Sequence, residues 1–214
     1  MNALELFSGT MSFGKVMKPK GYNVISVDIN NYGGRYTPTH QTDILSFDYK
    51  QYPKDYFKII WASPPCIYYS KLQNIWIGKH KRDENGNLYL FTKEILEEKR
   101  KLGDQWVKKA LEIINYFDCE YWFLENPQTG TLKSKAFMKD INYYDVDYCK
   151  YCDWGYRKRT RIWTNKTDFT PRVCNRDCGY IPHISVKYVK GDGVSKQELR
   201  YRIPPTLIDD LVKV

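Results

Sequence analysis

The sequence predicts an α/β fold with a mostly parallel central sheet, and three observations support this prediction. A β-rich segment at 3–7 runs into a glycine-containing turn and a short helix to about residue 18, which is how a nucleotide-binding α/β unit begins. Apolar segments at 57–61 and 121–124 have the pattern of buried strands. Each is followed by a proline-containing turn that carries a reactive side chain, at the sheet edge where ligands bind in open α/β sheets.

The composition bounds the class of protein. The 214 residues, of which 42% are hydrophobic, suffice for one domain with a good core. A formal net charge of +9 favours a polyanionic partner, and an aromatic content of 16% suits stacking on unpaired bases. Without a secretory signal or an apolar segment of membrane-spanning length, we expect an intracellular protein with no membrane partner. Six cysteines in such a chain indicate catalytic or metal roles.

The first unit has the pattern of a nucleotide site. Gly9 and Gly14 would let the backbone approach a ligand at the start of the helix. Asp28 follows a second predicted strand at 22–27, where a carboxylate can bind both hydroxyls of a ribose, although a turn or helix-capping role is the alternative. Asp43 could hold an adenine amino group or cap a helix, and the sequence leaves both open.

Two reactive side chains follow central strands. The strand at 57–61 must end at Pro64-Pro65, and the rigid turn presents Cys66 as a candidate nucleophile. A cysteine that merely packs is the alternative. Glu125 ends the strand at 121–124 and is locked by Pro127. A thiol and a carboxylate at the same edge of successive strands indicate a catalytic site more strongly than either alone.

The segments between and after these strands carry further expectations. Residues 68–90 read as a long mobile loop with a turn at Asn85-Gly86, either a lid or a disordered insertion. A helix begins near Thr92, and Gly103-Asp104 could break it into two. A strand is expected at 143–148, and a turn followed by a second strand is expected over 155–163. In the second, Arg157, Arg159 and Arg161 alternate on one face, either as a phosphate or base clamp or as a solvated face.

Taken together, these motifs resemble a known family. The motifs are Leu6-Phe7-Ser8-Gly9 with Gly14, Pro64-Pro65-Cys66, Glu125-Asn126-Pro127, Arg159-Thr160-Arg161 and Ile203-Pro204-Pro205-Thr206-Leu207. They occur in the order seen in C5-cytosine-specific DNA methyltransferases, over nearly the whole chain. The chain resembles a small phage- or virus-type member that lacks a full target-recognition domain. The resemblance implies a Rossmann-like class I S-adenosylmethionine-dependent methyltransferase sheet, here with a small C-terminal Cys-rich insertion.

The resemblance also implies a mechanism. The Cys66 thiolate would add to C6 of a cytosine flipped out of DNA, and C5 would then take a methyl group from S-adenosylmethionine. Cys66 would therefore need a lowered pKa. Glu125 would hold the N3/N4 edge of the base, while Arg159 and Arg161 would hold O2 and a phosphate. The implied donor-binding residues are Phe7, Ser8, Gly9, Gly14, Asp28, Ile29, Asp43, Ile44 and Pro64.

The chain departs from the family pattern at several positions. Met11 stands where the family usually has glycine, and Arg157 stands where it usually has glutamine. Arg200-Tyr201 replace the Gly-Asn of the final motif. Only 166–194 is available for target recognition. We therefore expect low sequence specificity, a very short target, or a partner subunit that supplies recognition.

Four late cysteines form two pairs, Cys149-x-x-Cys152 and Cys174-x-x-x-Cys178. This spacing predicts a structural Zn²⁺ site, in which His183 could replace one thiolate, and four free thiols are the alternative. The expected organisation is a catalytic domain at 1–165, a Cys-rich insertion at 166–194 and a returning segment at 195–214.

Two other functions compete with DNA methylation. One is a non-catalytic DNA-binding or regulatory subunit on the same scaffold. The presence of Cys66 and Glu125 argues against it, because a subunit without catalytic activity needs neither residue. The other is the same chemistry on RNA, because no recognisable feature reads the 2′-hydroxyl.

Overall fold

A computed structural model describes residues 1–181 and 195–213 and confirms the predicted α/β class. The strands are β1 (Asn2–Leu6), β2 (Asn23–Asp28), β3 (His40–Gln41), β4 (Ile59–Ala62), β5 (Lys79–Arg82), β6 (Leu88–Phe91), β7 (Tyr121–Pro127), β8 (Tyr143–Asp147) and β9 (Arg159–Thr164). Seven of them form one sheet in the order β3-β2-β1-β4-β7-β9-β8, and β5 pairs with β6 in a separate hairpin.

Strands β3, β2, β1, β4 and β7 run parallel, whereas β9 is inserted antiparallel between β7 and β8. The parallel strands are buried on both faces, and this explains their nearly continuous apolar sequences. Their carboxyl ends meet at one edge of the sheet. The antiparallel insertion brings the beginning of β9 to that same edge.

Helices cover both faces of the sheet. They are α1 (Ser12–Met17), α2 (Lys93–Tyr116), α3 (Lys196–Tyr201) and α4 (Pro205–Val212). The apolar side of α2, including Val107 and Ile113, packs on the face formed by Leu4, Ile60 and Leu124. On the opposite face α1 packs beside α4, whose buried residues are Leu207, Ile208, Leu211 and Val212.

The sequence left open a break at Gly103-Asp104, and α2 instead continues through both residues without interruption. Gly103 is buried, and a Cβ atom at this position would lie 3.1 Å from Tyr68 Cβ. The glycine therefore permits close packing of α2 on the turn that follows Cys66. That packing offsets the roughly 1 kcal/mol that glycine costs within a helix.

Residues 68–90 also differ from the long loop expected. They form 3-10 turns at Cys66–Tyr69 and Lys71–Trp76, and then the β5–β6 hairpin. The turn expected at Asn85-Gly86 closes this hairpin, with Gly86 at a φ of 84°. Among the described residues, no helix combines the length and apolar character needed to cross a membrane.

Candidate active site

A cleft of about 2120 Å³ opens at the carboxyl ends of the parallel strands. The predicted catalytic and donor-binding residues that line it are Phe7, Ser8, Gly9, Asp28, Ile29, Asp43, Ile44, Pro64, Cys66, Glu125 and Arg159, and Arg157 and Cys174 line it as well. Gly14 and Arg161 are predicted residues that do not line it. The candidate donor site and the candidate nucleophile thus share one continuous cavity.

The turn after β1 is strained. Phe7 and Met11 adopt left-handed conformations, with φ of 56° and 55°, as does Gly9 with φ of 48°. A non-glycine residue in this region costs about 1–2 kcal/mol, and such strain tends to occur at ligand sites. Met11 thus occupies the left-handed region that favours glycine, the residue that the family pattern usually has at this position.

Buried Glu5 organises the start of α1. Its two carboxylate oxygens accept hydrogen bonds from the backbone N–H groups of Phe13 and Gly14, both at 3.0 Å. These bonds satisfy N–H groups that α1 leaves free, since Met11 provides no side-chain cap. Burial nevertheless raises the pKa of Glu5 to about 8. A Cβ at Gly14 would lie 2.9 Å from Glu5 Oε2, so glycine is required by this contact rather than by the cleft.

Asp28 and Asp43 both line the cleft, and the carboxylate of each accepts hydrogen bonds from backbone N–H groups. Asp28 accepts the N–H groups of Gly9 and Asn30 at 2.8 Å, and each oxygen keeps lone pairs for another donor. Burial raises the pKa of Asp28, although these N–H groups partly oppose the shift. Asp43 caps the turn at Ile44–Ser46 by accepting the Leu45 N–H at 2.8 Å. The capping alternative for Asp43 is thus observed, together with its position in the cleft.

Ser8 provides an unpaired polar atom in the candidate donor end of the cleft, the part lined by Phe7, Gly9 and Asp28. Its side chain is buried, and Ser8 Oγ has no hydrogen-bond partner among the residues that the structure describes. A buried hydroxyl without a partner costs roughly 1–3 kcal/mol. A polar ligand group at this end of the cavity would satisfy it.

A direct hydrogen bond joins β7 to the turn that follows β4. Asn126 Nδ2 donates to the Pro64 carbonyl oxygen at 2.9 Å, which ties the strand of Glu125 to the turn that carries Cys66. Glu125 is buried, and its Oε1 accepts from the Tyr148 hydroxyl at 3.1 Å. The structure therefore fixes the carboxylate and the turn of the thiol relative to each other.

Lys158 is a site residue that the sequence reasoning missed. Its ammonium lies 3.4 Å from Glu125 Oε1 and 4.8 Å from the centre of the Tyr148 ring. Burial alone would lower the pKa of Lys158, but the charges of Glu125 and Cys66 raise it overall. Lys158 is therefore a cation held beside the carboxylate, and its charge also acts on the Cys66 thiol.

The pKa of Cys66 differs from the lowered value that the resemblance implies. Burial raises the pKa of the Cys66 thiol, and the nearby Glu125 charge raises it further. The Lys158 cation opposes both effects without cancelling them. Deprotonation of Cys66 thus depends on this cation.

The strand register explains why Lys158, and not an arginine, reaches Glu125. Glu125 lies opposite Ile162 in the β7–β9 pairing, so it shares a face of the sheet with Ile162 and Thr160. Lys158 directly precedes β9, and the same alternation carried past the start of the strand brings it to that face. Arg159 and Arg161 project from the other face, as the predicted alternation requires. In the sequence Lys158 stands between Arg157 and Arg159. The pattern of charges alone does not distinguish it from these arginines.

Arg159 and Arg161 are paired with acids on β8. Arg159 binds Asp147 through two nitrogens, the shorter contact being 2.6 Å, and its side chain remains 42% exposed at the cleft. Arg161 binds Asp145 through two nitrogens and lies 3.5 Å from the centre of the Tyr143 ring. Arg159 is thus available to a ligand in the cleft, whereas Arg161 holds β8 against β9.

The C-terminal segment lines the candidate donor end of the cleft. Arg200 and Tyr201, which replace the family's Gly-Asn, both line the cavity. The Ile203 N–H donates to Ser12 Oγ at 3.0 Å, which ties this segment to the start of α1. Of the positions that depart from the family pattern, Arg157, Arg200 and Tyr201 line the cavity and Met11 does not.

The cysteine cluster differs from the predicted four-ligand set. The sulfur atoms of Cys149, Cys174 and Cys178 lie within 4.8 Å of one another. Cys152 does not join them, because its thiol turns back to donate to the Tyr148 carbonyl oxygen at 3.2 Å. The alternative ligand His183 lies outside the described residues.

The sheet order and the cleft define a Rossmann-like class I methyltransferase fold. A DNA modification methyltransferase encoded within an Escherichia coli prophage matches it with a TM-score of 0.52 at 13% identity, covering 80% of this chain. The present chain spans about half (51%) of that structure. A methyltransferase of Entamoeba histolytica, EhMeth, gives a TM-score of 0.48 at 15% identity, over 80% of this chain and 56% of its own. No protein-family model matches the sequence.

A sequence relative identifies the family. The chain is 36% identical to the "Probable DNA (cytosine-5)-methyltransferase" of frog virus 3 (isolate Goorha), over 99% of both chains. The chain therefore belongs to the DNA (cytosine-5)-methyltransferase family. Membership implies S-adenosylmethionine as the methyl donor.

Proposed function

We propose that this protein transfers a methyl group from S-adenosylmethionine to C5 of a cytosine flipped out of DNA, through a covalent bond between Cys66 and C6. The observation that carries the proposal is the shared cleft, in which Cys66 and Glu125 are held by the Asn126–Pro64 hydrogen bond beside a nucleotide-type pocket. The family relationship supports the reaction class. The net charge of +9 suits a nucleic-acid substrate.

The donor end of the cleft fits the methyl donor. Bound there, S-adenosylmethionine supplies an electrophilic methyl group on a sulfonium. The free lone pairs of Asp28 can accept the ribose hydroxyls, and the unpaired Ser8 hydroxyl can bind a polar group of the same ligand. Phe7, Gly9, Ile29, Asp43, Ile44 and Pro64 form the remaining proposed contacts. Gly14 acts indirectly, by allowing α1 to approach Glu5.

At the other end, Cys66 and Glu125 act on opposite edges of the base. The Cys66 thiolate forms a bond to C6, the electron pair of the C5–C6 double bond moves to C4–C5, and that of the C4–N3 double bond moves onto N3. Glu125 holds the N3/N4 edge and supplies a proton to N3. C5 of the resulting enamine takes the methyl group, with S-adenosylhomocysteine as the leaving group. Transfer of the C5 proton to solvent then re-forms the C5–C6 double bond, expels the Cys66 thiolate and lets N3 return its proton to Glu125.

Lys158 is a positioning residue in this mechanism. It stabilises the thiolate form of Cys66, whose pKa is otherwise raised by burial. It also holds Glu125 at 3.4 Å, while the Tyr148 hydroxyl binds the same Glu125 oxygen. Two partners on one oxygen fix the carboxylate, so its other oxygen can face the base.

The two predicted arginines have different parts in the proposal. Arg159 lines the cleft with an exposed guanidinium and can contact the cytosine O2 or a phosphate. Arg161 is occupied by Asp145 and Tyr143, so it would act only by supporting β8 and β9. The predicted contact of Arg161 with the base or backbone is therefore an indirect one in this proposal.

Target recognition in this small chain would be limited. The segment expected to carry it, 166–194, lies partly outside the described residues. We propose a short or degenerate target sequence, or a partner subunit that reads the sequence. Bisulfite sequencing of DNA from cells that express the protein would give the target directly.

The experiment that tests the function is a methyl-transfer assay on matched DNA and RNA substrates. Radiolabelled S-adenosylmethionine should label cytosine in DNA, Cys66→Ala should abolish labelling, and Cys119→Ala, a partly buried thiol outside the cleft, should retain it. Labelling of RNA alone would replace DNA with RNA as the substrate. Labelling that survives Cys66→Ala would refute the covalent mechanism.

A further inference from the structure

Three cysteines that have no part in the proposed methyl transfer lie close together. Cys149 lies in the 3-10 turn Tyr148–Lys150 that follows β8, whereas Cys174 and Cys178 belong to the segment after β9. Their sulfur atoms lie within 4.8 Å of one another, and all six cysteines of the chain are free thiols. Two separate parts of the chain therefore present three thiols to a common centre.

This geometry suits a metal ion better than a disulfide. Thiolates bound at about 2.3 Å around a tetrahedral Zn²⁺ ion lie roughly 3.8 Å apart, which the observed spacing accommodates. A disulfide needs a sulfur–sulfur distance of about 2.05 Å and would leave the third thiol without a role. Soft thiolate ligands also favour Zn²⁺ over Mg²⁺ or Ca²⁺.

We propose that Cys149, Cys174 and Cys178 bind a structural Zn²⁺ ion, with Cys152 excluded from the site. The fourth position is left for a water molecule or for Asp177, one of whose carboxylate oxygens lies 3.3 Å from Cys174 Sγ. The Lys150 ammonium, 2.8 Å from Asp177, places a cation beside the negatively charged thiolate cluster.

The ion would build one wall of the active-site cleft. Residues 170–178 contain no helix or strand, as the structure describes them, so this wall lacks a backbone framework of its own. Yet Val173, Cys174, Asn175 and Arg176 line the cleft. Linking this segment to the turn after β8 would fix the wall and the Arg176 side chain that it carries.

The ion would also be coupled to Arg159. The Cys174 N–H donates to Asp147 Oδ2 at 2.8 Å, and Arg159 Nη2 donates to the Cys174 carbonyl oxygen at 3.2 Å. The Asp147–Arg159 pair is thus held by the backbone of a proposed ligand. Loss of zinc would release this pair at the mouth of the cleft, and DNA affinity would fall.

Metal content of the purified protein tests the site independently of methyl transfer. Elemental analysis should give about one zinc per wild-type chain, and below about one tenth of that for Cys174→Ser and Cys178→Ser. Cys152→Ser is the matched control, because the sequence pattern includes this residue and the structure excludes it; it should keep its zinc. Wild-type protein that binds no zinc under reducing conditions would overturn the proposal, as would equal loss in Cys152→Ser.

Cobalt substitution covers the case in which the ligand variants fail to fold. Co²⁺ bound to wild-type protein should show the intense near-ultraviolet thiolate-to-metal absorption, and Cys152→Ser should show the same. Absence of this absorption from folded wild-type protein, or mass-spectrometric detection of a disulfide among the three cysteines, would refute the site. For variants that fold, judged by circular dichroism, DNA binding should weaken about tenfold or more relative to Cys152→Ser.

Discussion

Replacing Lys158 with methionine tests how the protein activates Cys66. The substitution keeps the length and apolar stem of the side chain but removes the cation 3.4 Å from Glu125 Oε1. At that separation two unit charges interact by about 5 kcal/mol with an effective dielectric constant of about 20. Removal of one member of such a buried pair costs roughly 3–5 kcal/mol.

The expected result is a higher pKa for the Cys66 thiol, because the one favourable charge acting on it is lost while burial and Glu125 remain. The wild-type pKa is already raised by burial, so the thiolate fraction near pH 7 should fall further. Methyl transfer should fall about tenfold or more, equivalent to about 1.4 kcal/mol in the activation barrier, and recover in part as the pH increases.

Alkylation of Cys66 by iodoacetamide, followed by peptide mass mapping across a pH series, measures this pKa without requiring DNA or donor. Lys135→Met is the matched control, since it removes a lysine paired at 2.7 Å with Asp104, outside the cleft. Lys158→Arg should restore most of the wild-type profile by keeping the charge. Superimposable profiles for wild type and Lys158→Met would refute the proposed role of the lysine.

Three further predictions concern the donor end of the cleft. Gly14→Ala should lower the free energy of unfolding by about 1–3 kcal/mol, because the new Cβ would lie 2.9 Å from Glu5 Oε2. Denaturant titration measures this loss, and an unchanged midpoint would show that α1 can shift to make room. The free energy of unfolding should fall as the pH rises from about 4.5 to about 8, because Glu5 in the folded protein, with a pKa of about 8, keeps a proton that the unfolded chain has lost. Glu5→Gln should lack this pH dependence. Asp28→Asn should weaken binding of S-adenosylmethionine by about tenfold or more, measured by calorimetry, because a charged acceptor is lost; equal affinity would place the ribose elsewhere.

Much of the fold could be predicted from local patterns. The buried strands β1, β4 and β7 are short apolar segments, and prolines mark where the turns after β4 and β7 begin. Because parallel strands place their carboxyl ends at one edge, the sharing of a cleft by Cys66 and Glu125 follows from topology alone.

The residues that sequence reasoning missed depend on tertiary register. Whether Lys158 or Arg159 faces Glu125 is decided by the pairing of β7 with β9, and a shift of one residue would exchange them. Cys152 has the spacing of a metal ligand, but the turn at Tyr148–Lys150 directs its thiol to a backbone carbonyl oxygen. From the sequence alone, Gly103 indicates a possible helix break. Its place within α2 is explained only by the close packing of the helix against Tyr68.

Covalent trapping on DNA that contains 5-fluorocytosine tests the proposed mechanism most directly. Fluorine at C5 cannot leave as a proton does, so an enzyme that adds Cys66 to C6 and transfers the methyl group should remain bound to the DNA. Wild-type protein with S-adenosylmethionine should give a complex stable to denaturation, with the DNA attached to the Cys66 peptide, and Cys66→Ala should give none. Wild-type protein that binds the donor and methylates DNA yet forms no such complex would contradict the mechanism.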